Sequence, residues 1–153
     1  MKIQKLAIGT LAGAVVIFLL DMVWYTMIMT DNMDVSIARL NAEGQPAPDM
    51  MWMIIGYIVF ALAFTSIYAA WSGGSSKVNS GLNFGIWTGL LVGLAMNLMW
   101  FSLTTLMTLS EAMTDSVYTI VKCIILGIVV AYATGHPSGD GHRGKDTGGG
   151  QTP

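Results

Sequence analysis

Four apolar runs dominate the chain: Leu6 to Met29, Met50 to Trp71, Phe84 to Met107 and Ser116 to Thr134. Each has the length a helix needs to cross roughly 30 Å of hydrocarbon. A hydrophobic content of 54% with 10% charged residues over 153 positions lies outside the ordinary soluble range. The sequence therefore predicts an all-α fold, a four-transmembrane-helix bundle over residues 1–135, followed by a tail over 136–153. That tail is rich in Gly, Ser and charge, cannot bury a core, and reads as disordered.

Charge placement orients the bundle. Lys2 and Lys5 precede the first run, Lys77 separates the second from the third, and Arg143 and Lys145 follow the fourth. Asp31, Asp34, Glu43 and Asp49 crowd the first loop beside Arg39, and Glu111 and Asp115 lie in the third. Basic residues mark the cytoplasmic side of short loops, so both termini are expected inside and the acidic loops outside. The first run is too long for a signal-peptide core and lacks an Ala-x-Ala site, which favours an uncleaved helix. Cys123 is alone and forms no internal disulfide.

The first and third runs share a pattern. Gly9-x3-Gly13-x7-Asp21-x2-Trp24-Tyr25-Thr26 aligns without a gap on Gly85-x3-Gly89-x7-Asn97-x2-Trp100-Phe101-Ser102. The second and fourth match more weakly, through Ala63-x4-Tyr68-Ala69 and Gly127-x4-Tyr132-Ala133. This reads as an internal repeat of two parallel-related helical hairpins about an axis along the membrane normal. Gly9 and Gly13, and Gly85, Gly89 and Gly93, form small-residue ladders that let membrane helices pack closely.

Within the loops, Pro46 and Pro48 delay the second helix, and Val35 to Leu40 is expected as a short interfacial turn. Leu109 to Asp115 is expected as a turn, with Thr114 or Asp115 capping the fourth helix. Trp52, Tyr68 and Trp71 read as interfacial belts.

Two departures from the repeat carry charge: Asp21 stands opposite Asn97, and Lys122 stands opposite Ile58. Asp21 and Lys122 lie at matching depths if the fourth helix starts near Ser116, so they are expected to pair, with Asn97 joining the network. The plainer reading of this cluster is a latch that fixes helix pairing; the functional one is an ion or polar-solute site in the outer half.

The methionines other than Met1 gather in the outer half and outer loops, from Met22, Met27, Met29 and Met33 to Met96, Met99, Met107 and Met113. Met50, Met51 and Met53 are soft-metal candidates for Cu(I), although adaptable apolar filling is the simpler account. Trp24, Tyr25, Trp100 and Phe101 could line a site for a quinone, pigment or lipid chain, or serve as anchors. No nucleophile, catalytic carboxylate pair, phosphate loop or zinc motif is present, so no enzyme is expected.

The Leu20-Asp-Met-Val-Trp24-Tyr25-Thr26 segment and the layout around it resemble uncharacterised families of small four-helix bacterial inner-membrane proteins. Their first helix carries a Leu-Trp-Tyr-Ser-like or Asp-x-x-Trp-like motif. The resemblance implies an inner-membrane location and brings no activity. The sequence-based expectation is a non-enzymatic membrane component that packs with copies of itself or in a larger complex, with no nucleic-acid partner. Its alternative is a small oligomeric transporter or channel using Asp21, Asn97 and Lys122.

Overall fold

The computed structural model describes residues 3–28, 49–72, 78–104 and 107–135. These form four helices long and apolar enough to cross a membrane: α1 (Ile3–Ile28), α2 (Met50–Trp71), α3 (Val78–Leu103) and α4 (Leu109–Thr134). The expected Val35 to Leu40 turn, the loop prolines, Met29, Met33 and the tail lie outside the described residues.

Caps set two helix starts. The Asp49 carboxylate accepts from the Met51 N–H at 2.8 Å at the head of α2. At α4 the Thr108 side chain accepts from the Glu111 N–H, while Glu111 accepts from the Thr108 N–H at 2.6 Å. This reciprocal capping box begins α4 at Leu109, not near Ser116, and the expected caps Thr114 and Asp115 lie inside the helix. We call the end carrying Asp49 and Thr108 the capped end. Similarly, α3 begins at Val78 and ends at Leu103, displaced from the expected 84–107. Its start was obscured because Asn79, Ser80 and Asn83 interrupt the apolar run.

Glycines decide which helices meet. A Cβ on Gly85 would lie 2.6 Å from the Ile124 Cα, and one on Gly89 2.7 Å from the Ile120 Cα. Gly81 and Gly127 likewise face each other's backbones. The α3 ladder, including Gly81 that the repeat did not reveal, is thus occupied by α4 within the same chain. On α1, Gly9 meets Thr65 and Thr134, and Gly13 meets Ala61 and Leu126, which seats α1 between α2 and α4.

A four-residue stripe drifts by about 40° per step on an ideal helix of 3.6 residues per turn. Wide π turns at Trp24–Ile28 and Leu90–Ala95 offset that drift. They allow Tyr25 on α1 and Asn97 on α3 to reach α4 beyond the glycine contacts.

The order across the bundle is α2, α1, α4, α3, and the backbones of α2 and α3 scarcely approach. They meet chiefly through rings away from the capped end: Phe84 packs against Phe64 at 4.9 Å, Tyr68 at 5.5 Å and Trp71 at 5.6 Å between centroids. Tyr68 is therefore core, 1% exposed, and not the interfacial belt residue expected. Above these rings α2 and α3 are separated by a cleft.

Replacing Gly85 by Ile should force α3 from α4 and cost on the order of 1–3 kcal/mol or more, lowering the thermal-unfolding midpoint in detergent. Gly56 has no atom within 4 Å of where its Cβ would lie. Gly56→Ala should leave that midpoint unchanged or slightly raised.

Candidate polar site within the bundle

Asp21 continues the buried α1 stripe of Gly9, Gly13 and Ile17 and is itself only 5% exposed. Its Oδ1 accepts from Lys122 Nζ at 2.8 Å and from the Tyr118 hydroxyl at 2.6 Å. The Tyr57 hydroxyl from α2 is directed to the same carboxylate. The expected pair thus forms, with partners that charge counting did not reveal.

The depths differ from those expected. Lys122 lies thirteen residues, or about 20 Å, below the start of α4, while Asp21 lies seven residues, or about 10 Å, from Ile28. Side chains on a helix lean toward its N-terminus, and for α4 this is the capped end. That lean helps Lys122 reach Asp21.

Tyr118 is fixed by rings on two sides. Trp24 stacks on it at 4.2 Å with planes 4° apart, and Tyr25 meets it edge-on at 6.2 Å. The Lys122 ammonium also lies 5.0 Å from the Tyr118 ring centroid.

A second cluster sits one to two turns nearer the capped end. Asp115 accepts from the Tyr25 hydroxyl at 2.8 Å and from Asn97 Nδ2 at 2.8 Å. Asn97 also reaches Ser116 Oγ at 3.4 Å. The Ser116 hydroxyl donates to the Ala112 carbonyl at 2.6 Å, with the Gly93 carbonyl 3.2 Å away. Asn97 therefore joins through Asp115 and Ser116, not by direct contact with Asp21 and Lys122. Reading Asp115 as a loop acid concealed it, although Thr108-x-x-Glu111 was a capping-box signature that would have placed it on the face of Tyr118 and Lys122.

Both clusters border one cavity of about 350 Å³, lined by residues of all four helices, including Tyr25, Tyr57, Asn97, Asp115, Thr119 and Lys122. Asp21, Asp115 and Lys122, when ionised, bring two negative charges and one positive, so these described residues leave one negative charge in excess. Gly56 forms part of the wall and keeps it open.

Of the expected aromatic lining, Tyr25 reaches the cavity, while Trp24 packs behind it on Tyr118. Trp100 is 52% exposed on the surface, and Phe101 is not part of this lining. Met53 lines the cavity, whereas Met50 and Met51 are exposed on the first turn of α2. Among the described residues no cluster of three or more His, Cys, Asp or Glu has a metal-binding arrangement.

Lys122→Met should leave a buried carboxylate unpaired and cost about 3–5 kcal/mol, whereas Asp21→Leu with Lys122→Met should cost much less than the two single changes together. Reversible unfolding of the four proteins in bicelles measures this coupling. The chain matches no family model, no curated protein and no solved structure.

Proposed function

We propose that this protein is a small integral-membrane transporter or channel for a cation or cationic polar solute. Supporting this reading, charged and hydrogen-bonding groups line an open cavity at two depths instead of being sealed between helices. A latch alone does not require that space.

At 1.5 Å per residue α4 is about 39 Å long, exceeding roughly 30 Å of hydrocarbon. Asp115, about 9 Å below its start, lies near the mouth, and Lys122 lies near mid-membrane. Asp115 with Tyr25 and Asn97 supplies oxygen acceptors at the entrance. Asp21 and Lys122 form the inner station, where an arriving cation competes with the ammonium for the carboxylate. Phe84 and its ring partners close the opposite end, so passage requires their displacement. From the distribution of basic residues, the capped end is the outer face and both termini are inside, with a bacterial inner membrane as the proposed location.

The competing accessory-component reading drew on glycines in excess of internal needs. The ladders on α1 and α3 are taken up by α2 and α4, which weakens that reason for a partner. The transporter is proposed to work as a homo-oligomer because four helices form a narrow bundle; native mass spectrometry of protein extracted from its own membranes reads the stoichiometry.

Proteoliposome uptake of Na⁺ and ethylammonium tests the proposal. Saturable uptake of at least one is expected, falling at least tenfold in Asp115→Asn. That variant keeps an acceptor for Tyr25, and rotation of the Asn97 amide preserves the other bond. Asp21→Lys with Lys122→Asp should restore pairing without restoring uptake; full recovery would reduce the pair to a latch. A folded protein that moves neither cation overturns the proposal for these probes.

A further inference from the structure

The polar cavity adjoins an apolar groove. A second space of about 310 Å³ lies between α2 and α3, lined by Phe60, Ala63, Phe64, Ile67, Phe84, Trp87, Thr88, Leu91 and Val92. Phe60 and Val92 border both spaces. The one hydroxyl in the groove, on Thr88, donates to the Phe84 carbonyl at 2.8 Å, so its proton is already committed. Ile67, Trp87 and Leu91 are exposed on the bilayer-facing surface, which opens the groove sideways to lipid.

We infer that the site takes a single-chain amphiphilic cation, a long-chain amine or ammonium, which enters from the bilayer between α2 and α3. Its head occupies the Asp115 recess and its chain lies along the Phe60 to Trp87 groove. This deepens the proposed function and rests on the cluster being a cation site.

Charge and shape support this occupant. The Asp115 carboxylate has no cation beside it among the described residues, since Lys122 is engaged by Asp21 at 2.8 Å. A phospholipid head would bring its phosphate toward the Asp115 carboxylate, whereas an ammonium without phosphate meets only the attractive charge. Tyr25, Asn97 and Asp115 fill the recess with polar atoms, while the groove offers carbon and ring surfaces. A small inorganic cation would use the first space and leave the second without a role.

The test uses the full-length protein in phosphatidylcholine nanodiscs and a C12 primary amine with a diazirine at the chain end. Photolabelling should concentrate on residues 60–67 and 84–92. Excess dodecylamine should compete and ethylamine should not. Labelling should fall at least tenfold in Asp115→Asn and in Gly56→Leu, whose side chain occupies the polar cavity beside the Asp115 recess. Elution position on size exclusion confirms that both variants remain folded.

Label spread over all lipid-facing helices, or unchanged in both variants, overturns the inference, as does stronger groove labelling by a diazirine phosphatidylethanolamine. Ethylammonium binding by calorimetry separates the two claims. If it persists and depends on Asp115 while amphiphile labelling is nonspecific, the cation site stands and the chain-binding groove falls. If neither cation binds in an Asp115-dependent way, both fall.

Discussion

The close contact between α3 and α4 determines the rest of the molecule. In lipid, helices gain little by hiding apolar surface from one another, so association depends on fit and on polar contacts. Gly81, Gly85 and Gly89 bring α3 onto the backbone of α4 more closely than a side chain would permit, and Gly93 extends the same face. This commits the one small-residue face of α3 to α4 and leaves its other side, toward α2, without a comparable fit. α1 makes the corresponding choice by inserting between α2 and α4. The cleft follows from these two contacts, since the helices at its sides are each held on their far faces.

The polar groups inherit their importance from this setting. In a medium of low polarity an unpaired charge is expensive, and each carboxylate accordingly has two hydrogen-bond donors within 2.8 Å. All four of those donors come from a helix other than the carboxylate's own, so the clusters also tie α1, α3 and α4 together. Structural support and the proposed solute handling would thus draw on the same atoms. The pairing energies alone do not separate them, whereas the open volume beside Asp115 and Lys122 favours solute handling.

The sequence made some of this legible and hid the rest for physical reasons. Run lengths revealed the four helices, because hydrocarbon thickness dictates length. Opposite charges in otherwise apolar runs revealed Asp21 and Lys122, because neither is tolerated alone. Tyr57 and Tyr118 escaped because a tyrosine in an apolar helix is unremarkable until its hydroxyl has a partner. Asp115 escaped because a polar stretch at a helix start resembles a loop unless its cap is recognised. Asp21 and Lys122 pair although α4 starts at Leu109 and sets them at different depths, because a long lysine side chain leans toward the capped end. The open side between α2 and α3 has no local signature, because nothing in the letters of either apolar helix distinguishes a face that meets a helix from one that meets a cleft.

The Phe84 ring cluster has a mechanical consequence. It is the chief point at which α2 touches α3, and it lies at one extremity of a 22-residue helix. Rings in edge-to-face contact can tilt with little loss of attraction, so the cluster can serve as a fulcrum and α2 as the arm. A tilt of about 5° over the roughly 25 Å above it displaces the capped end by about 2 Å, given 1.5 Å of rise per residue. The separation of α2 from α3 at the capped end is therefore sensitive to ring packing near the other end of the two helices.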